Sequence, residues 1–195
     1  MPVNYKTTTF LETDYFNLVS DAMNAEANHP GVLALYSYGL PAVSPFGGAI
    51  LLPGATTTHI SILKVPVLSV ISNEYYVQAL MAPMQNADYG VFFLYDRANC
   101  GDNWQTVTRD GGVQTLIDTG IPVTTNWITL ELRCNFAADS IGFYVDGVLV
   151  STHTTNIPQL PWTATNTSIT GTYLSLGYCT LLLDYESVLQ GFAGR

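Results

Sequence analysis

The stretch Trp127–His153, WITLELRCNFAADSIGFYVDGVLVSTH, decides the fold class. In its first part Ile128, Leu130, Leu132 and Cys134 alternate with Trp127, Thr129, Glu131 and Arg133. Successive side chains of a strand point to opposite faces, so this period of two sends one set to a buried face and the other away from it. Ile141, Phe143 and Val145 repeat the pattern. Asp146-Gly147 then supplies two residues that accept positive φ, as a type I′ hairpin turn requires for its twist to match the flanking strands. The stretch therefore predicts three strands and one tight turn, an antiparallel sheet with one apolar face.

The same signals continue outward. Trp104–Arg109 and Val113–Asp118 flank Asp110-Gly111-Gly112, a second hairpin signal. Tyr75–Met81 and Gly90–Tyr95 read as strands, and Ile121–Asn126 leads into the opening stretch. His59–Ser72 is a strand-like run interrupted by Pro66, which limits it to an edge, a bend or two short pieces. Val32–Tyr38 follows a His-Pro-Gly turn, and Ala49–Leu52 follows a loop marked by Pro41, Pro45 and Gly47-Gly48. Downstream, Pro158, Pro161 and WTATNTSITGT read as a loop, and Tyr173–Leu189 as one or two closing strands. Between Pro2 and Asn28, Leu11, Tyr15, Leu18 and Ala22 have helical spacing with Thr13 as a cap, yet the segment reads equally as an extended arm. Many short strands with no helices between them predict an all-β, two-sheet antiparallel jelly-roll sandwich. Residues 1–28 form its N-terminal arm and residues 29–195 the sandwich.

Composition narrows the function classes. Charged residues are 11% of the chain, against roughly 25% in ordinary soluble domains, so contact with other subunits is expected to cover part of the surface. The net charge is −9, and the six basic residues are scattered. No basic cluster is present to neutralise phosphates or anionic lipid, so neither nucleic acid nor membrane is an expected partner. Of the three cysteines, Cys134 and Cys179 sit in apolar strand patterns and are expected to pack as small hydrophobes, whereas Cys100 lies in the polar turn NCGDN. The N-terminus lacks the apolar core of a signal peptide, and no apolar run approaches the ~20 residues of a membrane-spanning helix. Synthesis in a cytoplasm, with release by lysis or assembly, is the expectation.

Several segments in order carry a family resemblance: VLSVISNEYYVQAL, FFLYDRANCGDNWQTVTRDGGVQTLIDTGIPV, NWITLELRCNFAADSIGFYVDGVLVSTHTTNIP and LLLDYESV. The most specific pieces are Tyr95-Asp96-Arg97 with Asn103-Trp104-Gln105, and FYVDG followed by THTTNIP. From about His29 to Val188 the chain resembles concanavalin A-like (laminin-G-like) jelly-roll domains, and more narrowly those of bacteriophage virion proteins. The resemblance implies two curved antiparallel sheets, and it leaves activity open, because one fold hosts many functions.

Glucan-cleaving members of the resembled family carry a strand motif close to Glu-x-Asp-x-x-Glu, which this chain lacks. Asp184 and Glu186, two apart on a strand, are the best substitute for a catalytic carboxylate pair, and Glu12 with Asp14 is a weaker one. Solvent exposure opposite Leu183 and Tyr185 is the preferred reading of the first pair. His29, His59 and His153 lie in unrelated contexts without a nucleophile elbow. Asp88, Asp96, Asp102, Asp110 and Asp118 crowd one part of the chain, and turn and cap roles are preferred for them over calcium. Tyr36, Tyr38, Tyr89, Trp104 and Trp162 are possible platforms for a sugar ring, with Trp162, Tyr36 and Tyr38 retained as glycan contacts. Core or inter-sheet packing is preferred for Trp104 and Trp127.

These readings predict a chain that is not an enzyme and holds no cofactor: a bacteriophage virion protein that decorates or cements a capsid. Its arm, with Tyr5, Phe10, Tyr15, Phe16 and Leu18, would dock on a major capsid or other virion protein. The resemblance implies a homo-oligomer, with a trimer as first choice, located in the virion after synthesis in the bacterial host cytoplasm. The alternative is a lectin-like host-recognition domain of a tail fibre or adhesin that binds a host-surface glycan.

Overall fold

The computed structural model describes residues 32–37, 41–43, 55–71, 73–79, 88–158, 167–171 and 179–192. Its strands are β1 (Leu33–Ser37), β2 (Pro41–Val43), β3 (Ala55–Lys64), β4 (Tyr75–Ala79), β5 (Gly90–Asp96), β6 (Asn103–Asp110), β7 (Val113–Pro122), β8 (Trp127–Cys134), β9 (Ile141–Val145), β10 (Val148–His153), β11 (Ser168–Gly171) and β12 (Cys179–Phe192). One helical turn, α1 (Arg97–Cys100), joins β5 to β6. The first sheet runs β1-β12-β3-β8-β9-β10 and the second β2-β11-β4-β5-β6-β7. The recorded strand pairs are antiparallel. The fold is the two-sheet jelly-roll sandwich that the alternation predicts.

The inner faces supply the core. Leu35, Leu63, Leu130, Leu132, Phe143 and Ile141 from the first sheet meet Val77, Phe93, Tyr95, Trp104 and Ile169 from the second, all nearly or fully buried. Phe93 contacts Phe143 edge to face at 5.3 Å and Trp104 at 6.5 Å. Such pairs add to simple burial because the ring edge of one meets the electron-rich face of the other.

Both hairpin signals hold. Asp146 and Gly147 have φ of 48° and 80°, and Gly111 and Gly112 have φ of 56° and 81°. The first turn is also tied to β8: the Asp146 N–H donates to the Thr129 carbonyl and the Thr129 N–H to Asp146 Oδ1, each at 2.8 Å.

Other expectations shift. Pro41–Val43, read as loop, is a short edge strand, with proline at its first position where no ladder donor is lost. Ser168–Gly171, also read as loop, is β11; it is held between β2 and β4 by pairing that its Thr-rich sequence alone does not signal. The run from His59 begins earlier, at Ala55, and its strand stops at Lys64, before Pro66. The segments 1–28, 49–52 and 173–178 lie outside the described residues.

Buried polar side chains also enter the interior, Thr57, His59 and Ser61 on β3 among them. His153 on β10 is 1% exposed, and its Nε2 and Nδ1 lie 2.9 Å from the hydroxyls of Thr106 and Thr108 on β6. Thr108 donates to the Thr155 carbonyl at 2.9 Å, so it accepts from Nδ1–H, while the Thr106 hydroxyl is shared among Nε2, the Ser151 hydroxyl and the Ile117 carbonyl. These bonds pin the two sheets together. Burial lowers the His153 pKa to about 4 and that of His59, fully enclosed on β3, to about 3.

Candidate functional site

The second sheet carries polar and aromatic side chains on the face turned away from the core. On β4, Tyr75, Val77 and Ala79 enter the core, so Tyr76 and Gln78 point the other way, with Glu74 just before the strand. On β5, Val91, Phe93 and Tyr95 point inward, and Phe92, Leu94 and Asp96 outward. Register aligns these rows: Tyr76 opposes Asp96, Gln78 opposes Leu94, Leu94 opposes Gln105, and Phe92 opposes Val107.

A hollow of about 410 Å³ lies over these rows, lined by Glu74, Tyr76, Gln78, Phe92, Leu94, Asp96 and Arg109 together with Tyr75, Ala98 and Asn99. Phe92 and Val107 form a small apolar cluster with Leu94, separate from the main core, and give the hollow an apolar floor. The Arg109 guanidinium lies 5.7 Å from the centre of the Phe92 ring and donates to Gln114 Oε1 at 2.8 Å. Asp96 caps α1 by accepting from the Asn99 N–H at 3.2 Å and from its side-chain amide at 2.8 Å, which sets α1 at the rim. Along the same face Asp118 opposes Gln105. The Gly120 N–H and the Asn103 amide hold its carboxyl below the usual carboxylate range.

Gln78 is the unusual member. It is 7% exposed, and its Oε1 has no hydrogen-bond partner. A buried acceptor left unsatisfied costs about 1–3 kcal/mol. An apolar floor, an amide, carboxylates and a guanidinium can together take a polyhydroxylated ring by stacking one face and hydrogen-bonding its edge.

The residues singled out from sequence fall elsewhere. Asp184 lies on β12 in the first sheet, away from the hollow, at a register shift between Leu183 and Tyr185. The side chain of Glu186 lies outside the described residues. Trp104 is a core residue, as preferred. Trp127 is not: it is half-buried, with Lys64 Nζ 5.7 Å from its ring centre. Asp96, Asp102 and Asp118 serve as cap, ion-pair partner of Arg97 and turn acceptor. Among the described residues no three His, Cys, Asp or Glu side chains gather as a metal site. Cys134 and Cys179 are buried and Cys100 half-buried. Trp162, Tyr38, Glu12, Asp14, His29 and the arm residues Tyr5, Phe10, Tyr15, Phe16 and Leu18 lie outside the described residues, as does the side chain of Tyr36. The hollow itself was missed, although its signal was present: in NEYYVQAL the polar series Glu74, Tyr76, Gln78 alternates with Tyr75, Val77, Ala79.

No protein-family model matches this sequence, and no curated protein matches it. Solved structures do. The chain is similar to the Bacillus licheniformis beta-glucanase, with TM-score 0.54 and 16% identity over 98% of this chain and 95% of that one. It is also similar to an endo-1,3-beta-glucanase from Streptomyces sioyaensis, with TM-score 0.57 and 12% identity over 82% and 76%. A third similar structure is the carbohydrate-binding module CBM66 from Bacillus subtilis, with TM-score 0.51 and 14% identity over 84% and 89%. Likeness at these identities establishes the concanavalin A-like jelly-roll fold. It also corrects two expectations. The exclusion of enzyme activity does not stand, because glucanases are built on this architecture and two carboxylates line the hollow, Glu74 from just before β4 and Asp96 from the end of β5. The capsid-decoration reading gains no support, since these neighbours are carbohydrate-active or carbohydrate-binding proteins.

Proposed function

We propose that this chain is a carbohydrate-binding jelly roll that seats a saccharide in the hollow over β4, β5 and β6. The observation that carries the reading is Gln78, which lines the hollow beside Leu94 of its apolar floor and has a buried Oε1 with no partner. A sugar hydroxyl satisfies the acceptor while the ring's apolar face covers the floor. Carbohydrate binding by CBM66 and glucan cleavage by the two glucanases support the reading at the level of fold. A glycan array is the test. Selective binding to one glycan class, weakened about ten-fold in Gln78→Met, is expected, since about 1.4 kcal/mol is a factor of ten. An array without any selective binding removes the reading.

A second reading is glycan cleavage, favoured by Glu74 and Asp96 lining the same hollow. Paired carboxylates are the usual acid and base or nucleophile of glycosidic-bond hydrolysis. Under this reading, reducing ends accumulate when the chain meets the glycan that it binds, and both Glu74→Gln and Asp96→Asn abolish their release. Binding without new reducing ends leaves a pure binding module.

A further inference from the structure

We propose that two copies of this chain join edge to edge along β7, in an antiparallel pair centred on Leu116. The proposal holds whatever the hollow binds. Among the described residues β7 ends the second sheet, and no strand pairs with its outer side. An open edge is a template for another strand, and folds usually blunt it by shortness, charge, proline or a bulge. β2 spans three residues and β1 five. β10 carries a register shift between Leu149 and Ser151. β7 differs: from Val113 to Asp118 its register on β6 is unbroken, and that stretch has no lysine, no proline and a single charge, that of Asp118. Val113 and Leu116 are 61% and 39% exposed.

The β6–β7 hairpin fixes which backbone groups face outward. Gly111 and Gly112 form its two-residue turn, closed by Asp110 and Val113. Hydrogen-bonded and non-hydrogen-bonded pairs alternate from such a closing pair. Val113, Thr115 and Ile117 therefore bond to β6, and Gln114, Leu116 and Asp118 turn their N–H and C=O to the open side. The Ile117 carbonyl agrees, lying 3.4 Å from the Thr106 hydroxyl on β6. A two-fold axis at Leu116 sets this residue against its own copy and Gln114 against the second copy's Asp118, so the outward residues exchange backbone hydrogen bonds. Gln114 Oε1 already accepts from Arg109, which leaves the amide N–H groups to donate to that carboxylate, beside the Arg109 charge. Side chains directly opposed across a strand pair favour or oppose its register. Axes at Thr115 or Ile117 would put Leu116 against Gln114 or against the Asp118 carboxylate instead. The occupant of the edge is therefore a second copy, and an interface that pairs one patch with itself closes at two, not at the three expected above. The pairing also continues the apolar row Phe92, Val107, Leu116 into its copy, which puts both hollows on one face of a joined sheet.

Analytical ultracentrifugation of the full chain over a concentration series should show the mass rising from 21.2 kDa towards twice that value. Leu116→Lys sets two ammonium groups against each other and should weaken the dimer at least about ten-fold. Cross-linking tests the register. Opposed residues of a hydrogen-bonded antiparallel pair have Cα atoms about 5.5 Å apart, within reach of a disulfide. In a Cys100→Ser background, with Cys134 and Cys179 buried, Leu116→Cys should give a disulfide-linked dimer under mild oxidant. Gln114→Cys, which faces Asp118 rather than itself, should not. A mass that stays at 21.2 kDa through the series overturns the proposal. So does a trimer, an oligomer indifferent to Leu116→Lys, or linkage of Gln114→Cys as efficient as that of Leu116→Cys. Should the lysine variant fail to fold, the two cysteine variants decide.

Discussion

His153 sits inside the sandwich with both ring nitrogens hydrogen-bonded, and His59 is enclosed on β3. Their folded-state pKa values, about 4 and about 3, lie below the ordinary histidine value of roughly 6.5. Between these limits the unfolded chain binds more protons than the folded one, so folding stability is fully present above pH ~6.5 and declines as pH falls towards ~4. Urea denaturation at a series of pH values should show the midpoint falling across that window, and His153→Gln should flatten part of the slope; an unchanged slope in that variant would rule out His153 as a source. Phe143, with its ring 5.3 Å from Phe93 and 4.7 Å from His153, is fully buried. Phe143→Ala should therefore cost about 3–5 kcal/mol, measured as a shift in the denaturation midpoint at neutral pH. At this scale the sequence was partly legible. Alternation marked Phe143 as buried, but nothing in Ser-Thr-His-Thr-Thr announced that His153 would meet two threonines some 45 to 47 residues away.

The β9–β10 hairpin is the element that local sequence specifies most strongly. Gly147 adopts φ 80°, where a Cβ is strained, and Asp146 both turns the chain and clamps it to Thr129. Gly147→Ala should destabilise by about 1–2 kcal/mol. Asp146→Ala should cost about 1 kcal/mol through the lost hydrogen bond to the Thr129 N–H, whereas Asp146→Asn, which keeps an acceptor and tolerates positive φ, should cost much less. Thermal melts of the three variants check the order; equal losses for Ala and Asn at position 146 would show that the clamp contributes nothing. Elements with weaker local signals were misread. The three residues of β2 and the four of β11 gain their strand character by pairing with each other, and β11 gains more from β4. A three-residue strand has too little sequence to show a period.

For the molecule as a whole, low charge density and a net charge of −9 dominate behaviour in solution. The isoelectric point near 4.4 coincides with the pH range in which the buried histidines destabilise the fold. Solubility should therefore pass through a minimum near that pH as self-repulsion vanishes, and light scattering across a pH titration would detect it. Charge sparsity also illustrates what composition leaves open. It raises an expectation of intersubunit burial and gives no sign of the polar hollow on the second sheet, whose carboxylates, amide and guanidinium come from β4, β5 and β6 and the segments beside them. A functional reading from composition alone averages over such a site, and a motif search along one strand cannot find it.

By itself the sequence determined the strands with a clear period, the two tight hairpins and the all-β class, because these depend on side-chain alternation and on residues that accept positive φ over a few positions. Only the tertiary structure decided that Gln78, Phe92, Asp96 and Arg109 share one hollow, and that the register of β12 on β3 shifts at Asp184. Those outcomes depend on strand order and register, which long-range pairing sets and no local stretch encodes.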